Sequence, residues 1–334
     1  MAYIYKKNIG GKDYYYLRVS SKKGPKSLTK DIAYLGDDPN KIKERLERLP
    51  AKHSKEIRKT YKTINKFIEV NRYLSRIRET KLKEDTHLKR ADLEEIEAAK
   101  LHFNTIFKRK DRLTQEETLK RFIVEFAFNT TAIEGNTITL QQAHRLLVDN
   151  LTPKNKTLRE IYDLQNTDKV FTEIFNDMEK KEINHELIHK MHSDLLQNID
   201  QRQGYRKEEV RIFKMNFRST PHQYIYTDMN ILLDWYSKNQ NRLHPLALAA
   251  IFHHKFEKIH PFMDGNGRTG RMLMNLIMLN NRYPPIIIKK KNRQEYLQAL
   301  NNADKAKTTD DQQYKKLIDM TAQELTSSYW NIFL

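Results

Sequence analysis

The stretch HPFMDGNGRTGR, residues His260 to Arg271, holds the densest chemistry in this sequence. Three of the nine glycines among the 334 residues fall within six positions here, beside one imidazole, one carboxylate and two guanidiniums. The flanking residues are apolar with helical periodicity, which predicts a helix over about 246–259 that Pro261 ends. A second helix is predicted from about Thr269, and it is apolar on nearly all sides, as a buried helix is. The quoted stretch is therefore predicted to be a tight turn that enters a buried helix.

A turn at the start of a helix is suited to anions. The first-turn N–H groups have no helical partner, and the macrodipole makes this end positive. Gly265 and Gly267 allow backbone conformations closed to other residues, so that successive N–H groups can form an anion-binding nest. Arg268 and Arg271 are three residues apart, on one face of the helix start, and guanidinium groups suit phosphate oxygens. The pattern predicts a phosphate-binding turn.

Two more side chains indicate what such a turn does. Asp264 is a hard oxygen ligand suited to Mg²⁺ that is shared with phosphates. His260 is placed to take a proton from an incoming hydroxyl. Together they favour phosphoryl or nucleotidyl transfer. The structural alternative is an ordinary turn with an Asp–Arg ion pair and a satisfied polar histidine.

The composition excludes several classes of site and protein. Cysteine is absent, which rules out disulfides, thiolate zinc sites and a cysteine nucleophile. No run of eighteen apolar residues indicates a transmembrane helix, so no membrane partner is expected. The first residues, MAYIYKKNIGGKDYYY, lack the apolar core of a signal peptide, and a cytoplasmic location is the expectation.

The positive charge is concentrated towards the N-terminus. The formal net charge is +18, and residues 1–120 hold 31 Lys and Arg against 18 Asp and Glu. Such a basic segment, rich in tyrosine at its start, attracts polyanions, and nucleic acid is a candidate partner. The alternatives are a well-solvated lysine-rich surface, a protein target or a second copy of the chain.

Three parts are predicted along the chain. Short runs of Tyr, Ile, Val and Leu at 2–9, 13–20 and 27–35, with Gly10-Gly11 between the first two, predict a three-stranded meander. Charged amphipathic helices follow, and the remainder is a better-marked helical domain. We therefore expect a small basic β-meander (1–40), a charged helical linker region (41–112) and a mostly α domain (113–334).

The third part carries clear helix signals. Thr114 with Glu117 and Thr139 with Gln142 both fit the capping box. Further helical segments are predicted at about 156–178, 184–198, 228–239, 246–259, 269–281 and 292–304. Between two of them, β-branched and aromatic residues predict a hairpin at about 210–226.

The quoted stretch resembles the signature of the Fic family, H-x-F-x-[D/E]-G-N-G-R-x-x-R, and fills every defined position of it. The resemblance spans about 113–334. It implies a mostly helical Fic domain with a β-hairpin flap, and a protein adenylyltransferase that moves AMP from ATP to a hydroxyl side chain (Ser, Thr or Tyr).

The resemblance also implies a role for each matched position. His260 would deprotonate the target hydroxyl, and Asp264 would hold Mg²⁺. Phe262 would anchor the turn in the core. The phosphate-binding positions would be a backbone cradle for the α- and β-phosphates (Gly265, Asn266, Gly267), a transition-state arginine (Arg268) and a γ-phosphate arginine (Arg271).

A second motif lies earlier in the chain. Thr130-x-x-x-Glu134-Gly135 resembles the inhibitory helix motif [S/T]-x-x-x-E-[G/N] of this family, which implies an inhibitory helix at about 114–134. Glu134 would pair with Arg271 and keep ATP from binding productively. As in some relatives, the same carboxylate would orient a water for the reverse reaction, removal of AMP. The alternative is an ordinary helix end followed by a glycine stop.

The implied partners are a protein substrate held by strand addition at the flap, the chain itself in self-modification, and a second copy in a homodimer. Two alternatives stay open at this point. One is a nucleic-acid-binding regulator in which the Fic domain is a sensor. The other is a Fic enzyme with a different donor, transferring UMP, phosphocholine or phosphate, since an anion nest does not read the base.

Overall fold

The structure is a computed structural model that describes residues 1–23, 26–176, 180–210 and 219–334. The chain forms two compact units. Unit 1 consists of Met1–Lys83 together with Leu334, and unit 2 consists of Glu84–Phe333. The three-part functional division expected from the sequence stays a prediction.

Unit 1 begins with the predicted meander, which is confirmed. The strands β1 (Ala2–Ile9), β2 (Lys12–Lys23) and β3 (Lys26–Gly36) form an antiparallel sheet in the order β1-β2-β3. Gly10 and Gly11, at φ 58° and 80°, make the two-residue turn that joins the first pair.

One face of this sheet is covered by the helices that follow it. These are α1 (Ile42–Glu47), α2 (Ser54–Lys59) and α3 (Tyr61–Arg78). Because side chains alternate across a strand, β1 buries Ala2 and Ile4, and β2 buries Tyr15 and Leu17. The core of unit 1 is completed by Leu35, Ile42, Leu46, Ile64 and Ile68.

The described part of unit 2 consists of helices and their connections, with no strand. Its helices are α4 (Arg90–Thr105), α5 (Arg112–Glu134), α6 (Leu140–Leu147), α7 (Leu158–Asn176), α8 (His185–Leu195), α9 (Ile225–Asn239), α10 (Pro245–Ile259), α11 (Asn266–Asn280), α12 (Arg293–Ala303) and α13 (Lys315–Ile332).

The helices α10 and α11 form the centre of unit 2. They pack against each other, with α9 and α13 against α10 and with α5, α7 and α8 against α11. Nearly every residue of α10 and α11 is buried, as their apolar sequences predict. The turn between them therefore joins two helices that pack directly against each other in the core of this unit.

Helix starts differ from the prediction at three places, one of which is α9, which begins at Ile225 rather than at about 228. Thr114 was expected to cap α5, but the cap is Asp111, whose carboxylate accepts from the Thr114 N–H at 2.9 Å and from its hydroxyl. The helix α11 begins at Asn266 rather than Thr269, because Gly265 in a left-handed conformation redirects the chain. The capping box that begins α6 is confirmed.

The expected hairpin at about 210–226 falls largely on residues 211–218, which lie outside the described residues. Its C-terminal end is helical, with a short 3₁₀ turn at His222–Tyr224 and α9 from Ile225. The helix α13 was not among the segments expected from the sequence. Within the described residues, no helix combines the length and the apolar composition needed to cross a membrane.

Candidate active site

The site is built on the turn between α10 and α11. His260 ends α10 in a left-handed conformation (φ 54°, ψ 59°), and its N–H still donates to the Phe256 carbonyl at 3.0 Å. A non-glycine residue in this region is uncommon and is held there by its surroundings. The strained backbone therefore fixes where the imidazole leaves the helix.

The ring of His260 is arranged as a base. Its Nδ1 lies 3.3 Å from the Glu257 carbonyl oxygen, an acceptor that favours a proton on Nδ1 and leaves the lone pair on Nε2. Burial lowers the pKa of His260 to about 4, an effect that Arg206 reinforces. The imidazole is thus neutral near pH 7 and free to accept a proton.

The start of α11 presents unpaired backbone donors. Gly265 precedes the helix at φ 77°, and no side chain in the described residues caps it. A Cβ at this position would lie 2.5 Å from Leu196 Cδ2, so glycine is required for space as well as conformation. The N–H groups of Asn266, Gly267 and Arg268 have no helical acceptor, so they are available to the anion site that the sequence predicts.

The side chain of Asn266 is committed to the turn itself. Its Nδ2 donates to the Phe262 carbonyl at 2.8 Å, and its Oδ1 accepts from the Phe262 N–H at 2.9 Å. Phe262 is fully buried and stacks on His192 with ring centroids 3.6 Å apart, which confirms its predicted place in the core. Asn266 can therefore offer a phosphate only its backbone N–H.

Arg271 is buried and paired with Glu134. Its Nη2 donates to Glu134 Oε1 at 2.7 Å and to the Thr130 carbonyl at 3.0 Å, while Nε donates to Thr130 Oγ1 at 2.8 Å. Only 2% of the Arg271 side chain is exposed, against 46% for Glu134. A Cβ on Gly267 would lie 2.1 Å from Glu134 Oε1, so the carboxylate rests directly against the start of α11.

Two more ion pairs come from α7, and sequence reasoning missed both. Asp163 pairs through Oδ1 with Arg268 Nη1, and Arg159 pairs through Nη2 with Asp264 Oδ2. Each pair joins residues 105 positions apart, a separation that helical periodicity does not reach. Burial raises the pKa of Asp163, with the guanidiniums of Arg268 and Arg159 opposing it.

Asp264 fits a magnesium ion only in company with phosphates. No group of three or more His, Cys, Asp or Glu residues in the described parts of the chain is spaced to hold a metal. Burial raises the pKa of Asp264, but Arg268 and Arg159 outweigh it, so the net shift is downward and the carboxylate is ionised. One carboxylate plus substrate phosphates and water is an ordinary Mg²⁺ environment in nucleotide enzymes.

Glu257 and Arg206 complete the surroundings of His260. Glu257 is buried, its Oε2 lies 4.0 Å from His260 Nδ1, and burial raises its pKa to about 8 against the opposing charge of Arg271. Arg206 donates through Nε to the His260 carbonyl at 2.9 Å, and its N–H donates to the Pro261 carbonyl at 2.8 Å. The sequence contained no motif that singled out either residue.

The structure brings together every residue that the sequence nominated for the site, all of them in unit 2. His260, Asp264, Gly265, Asn266, Gly267, Arg268 and Arg271 share the turn and the first two turns of α11, and Glu134 reaches them from the end of α5. His253, seven residues before His260, is buried and hydrogen-bonded to the Tyr296 hydroxyl.

Known families and proteins resemble this chain in the region that contains the turn between α10 and α11. Residues 182–278 match the model of the Fic/DOC family. The protein adenylyltransferase fic-1 of Caenorhabditis elegans is 30% identical over 201 residues, which are 58% of this chain and 40% of that protein. The protein adenylyltransferase Fic of Nematostella vectensis is 29% identical over 194 residues, 57% of this chain and 45% of that protein. The alignments thus span less than half the length of these curated relatives.

Solved structures show the same fold. A Fic domain containing signaling protein from Bacteroides thetaiotaomicron superposes with a TM-score of 0.64 at 22% identity, over 72% of this chain and 96% of that one. A fragment of Fic-1 from Caenorhabditis elegans superposes with a TM-score of 0.61 at 26% identity, over 72% of this chain and 71% of that one. The complete signature, the match of the family model and these superpositions lead to one conclusion: residues 182–278 of this chain form a Fic domain.

Proposed function

We propose that the protein is an adenylyltransferase that transfers AMP from ATP to a hydroxyl side chain of a protein. The observation that carries this proposal is the five-residue turn joining a neutral imidazole at the end of α10 to unpaired N–H groups and buried guanidiniums at the start of α11. The names of the relatives, which are protein adenylyltransferases, support the same activity.

The chemistry assigns one task to each group. The target hydroxyl oxygen attacks the α-phosphorus of ATP, the bond from that phosphorus to the pyrophosphate oxygen breaks, and the hydroxyl proton passes to Nε2 of His260. The N–H groups of Asn266 and Gly267, with the Arg268 guanidinium, face the negative charge that develops on the α-phosphate. Arg271 binds the terminal phosphate, which anchors the nucleotide.

Magnesium belongs to the same proposal. Asp264 is the residue that would hold it, because its ionised carboxylate adjoins the anion site at the start of α11. A bound Mg²⁺ would neutralise phosphate charge. Arg159 would then exchange its partner Asp264 for the phosphates that the ion brings with it.

We also propose that Glu134 restrains this activity. The carboxylate holds Arg271 Nη2 at 2.7 Å and occupies the space beside Gly267, so a terminal phosphate has to displace it. Both anions compete for one buried cation, and a covalently attached carboxylate has the advantage of a high local concentration. ATP therefore binds weakly or in an unproductive position while the pair is intact.

The substitution Glu134→Gly tests activity and restraint together. We expect the variant to label itself with radioactive ATP and magnesium at least about tenfold faster than the native chain, because Arg271 becomes available to the nucleotide. Mass spectrometry after incubation with ATP, UTP and other donors together identifies the donor from the added mass. His260→Ala in the Glu134→Gly background is the matched control, and EDTA should stop the labelling.

Two results would contradict these proposals separately. Equal labelling of the native chain and the Glu134→Gly variant would refute the proposed restraint by Glu134. An absence of labelling by any donor, with the variant folded, would refute the proposed transferase activity. Removal of AMP by the same site, the cytoplasmic location and a homodimer remain predictions from the sequence.

A further inference from the structure

A carboxylate that the signature does not include holds the arginine at the centre of the site. Asp163, on α7, pairs with Arg268 Nη1 on the first turn of α11. Both side chains are shielded from water, with 13% of Asp163 and 4% of Arg268 exposed. The other oxygen of Asp163 lies 3.5 Å from Asn136 Nδ2, so the carboxylate itself is oriented by a neighbour.

The pairing leaves part of the guanidinium uncommitted. Arg268 Nε has no hydrogen-bond acceptor among the described residues, and Nη2 is 3.7 Å from Asp264 Oδ1, beyond a good hydrogen bond. A guanidinium is planar, so a bond at one Nη fixes the direction in which the other N–H groups point. Asp163 therefore determines which edge of Arg268 is available to a phosphate.

We propose that Asp163 is a positioning residue for the transferase reaction, because it holds the buried Arg268 guanidinium with a free edge towards the phosphates bound at the start of α11. This inference rests on the proposed function and adds a residue to it. Arg268 without Asp163 would be a buried cation with no carboxylate in hydrogen-bond contact, free to turn towards Asp264. We expect the loss of Asp163 to misplace the positive charge of Arg268 in the transition state and to leave the binding of the nucleotide intact.

The distinction between Arg268 and Arg271 makes the proposal measurable. Arg271 binds the terminal phosphate in the ground state, and its contacts with Thr130 and Tyr296 do not involve Asp163. A loss of Asp163 should therefore lower kcat and leave the KM for ATP nearly unchanged. A role in folding alone would change the thermal stability and would have no reason to act on kcat selectively.

The same helix supplies a matched control. Asp168, five residues along α7, accepts from Lys120 Nζ at 2.8 Å, and its side chain is 22% exposed. It carries the same charge on the same helix and is also in an ion pair with a basic residue from a different helix. Neither partner of that pair belongs to the signature.

The experiment measures self-labelling kinetics in the full-length Glu134→Gly chain. We expect Asp163→Asn to lower kcat by roughly 10- to 100-fold with the KM for ATP changed less than about twofold, and Asp168→Asn to change neither. In the Arg268→Lys background, the added substitution Asp163→Asn should cost no further activity, because the two residues act as one unit. Melting temperatures establish that each variant is folded.

The outcomes separate clearly. If Asp163→Asn lowers kcat by the same factor with and without Arg268→Lys, or raises the KM for ATP alone, the positioning role is wrong. If Asp163→Asn does not fold, Asp163→Glu, which keeps the charge and moves it by one methylene, must lower kcat at an unchanged melting temperature. Activity of the parent Glu134→Gly chain is the reference, so its absence would refute the proposed function and not this inference.

Discussion

At the scale of single residues, Arg271 is held mostly by neutral hydrogen-bond partners and by one carboxylate. Its Nε and one bond of Nη2 are held by Thr130, and Nη1 lies 3.5 Å from the Tyr296 hydroxyl. Only the remaining bond of Nη2 goes to Glu134. Because the neutral partners hold the guanidinium in place, exchanging the carboxylate for a phosphate requires little rearrangement of the arginine itself.

The ionisation of His260 gives a prediction about pH. Burial lowers its pKa to about 4, so the basic, neutral form is present throughout the range from pH 7 down to about pH 5. We expect kcat/KM of the Glu134→Gly variant to stay constant from pH 7.5 to pH 5.5 and to fall only as the pH approaches 4. Self-labelling rates in buffers of constant ionic strength, with circular dichroism to verify folding, measure this profile.

A histidine with an ordinary pKa would give a clearly different pH profile of kcat/KM. A histidine with an ordinary pKa of about 6.5 would lose roughly tenfold of its basic form between pH 7.5 and pH 5.5. An acid limb centred near pH 6.5 would show that the imidazole is hydrated in the working enzyme, and the burial described here would then not apply to it.

At the scale of elements, the end of α5 places Glu134 where a helix does not favour it. Glu134 is the last residue of the helix, at the negative end of the macrodipole, and a carboxylate there is destabilised by about 0.3–1 kcal/mol. Gly135, at φ 114°, ends the helix, and Arg293 Nε bonds the Ile133 carbonyl at 2.7 Å. The position of the Glu134 carboxylate is thus stabilised by Arg271 and not by the dipole of its own helix.

Arg206 connects the segment after α8 to the turn that carries His260, and the substitution Arg206→Lys tests that connection. Its Nε donates to the His260 carbonyl, and its backbone N–H donates to the Pro261 carbonyl. Its Nη1 donates to the Glu208 carbonyl and its Nη2 to the Thr220 carbonyl. Arg206→Lys replaces the guanidinium, whose several N–H groups reach these acceptors, with a single ammonium group. We expect a loss of about 2–4 kcal/mol in unfolding free energy and a lower kcat.

The control for Arg206→Lys is Arg202→Lys, which alters a more exposed arginine paired with Asp200. Denaturant titration and self-labelling in the Glu134→Gly background compare the two. If both variants had equal stability and activity, the turn would be shown to keep its shape without Arg206.

The elements were predictable from the sequence to the extent that their causes are local. The meander follows from alternating residues and Gly10-Gly11, and the buried pair α10–α11 follows from apolar periodicity. The cap of α5 was misplaced because both Asp111 and Thr114 are suitable cap residues, and only the geometry chooses between them.

The site was predictable where its residues are contiguous or belong to a known motif. The eight signature positions and Glu134 could be named in advance because the motifs fix their spacing. Asp163, Arg159 and Arg206 could not, because they reach the turn through tertiary packing, the first two from α7 and Arg206 from the segment after α8. From the sequence alone, a carboxylate on α7 cannot be distinguished from a solvent-exposed charge, because its partner is distant along the chain.

At the scale of the whole molecule, charge and chemistry occupy different parts of the chain. Residues 1–83 hold 23 Lys and Arg against 9 Asp and Glu, whereas residues 84–334 hold 38 against 34. The entire candidate site lies in unit 2, which also has its own core. Affinity for polyanions should therefore belong to unit 1 and catalysis to unit 2.

A fragment of residues 84–334 carrying Glu134→Gly tests this division. We expect it to fold, to label itself with ATP at a rate within about threefold of the full-length variant, and to lose binding to a fluorescent single-stranded oligonucleotide. The full-length chain should bind that oligonucleotide with an affinity that falls steeply between 50 and 200 mM salt, because bound phosphates release counterions. Fluorescence anisotropy at several salt concentrations, beside the labelling assay, measures both properties. Binding retained by the fragment would place the polyanion surface in unit 2, and a weak salt dependence in the full chain would refute nucleic-acid binding through the basic residues of unit 1.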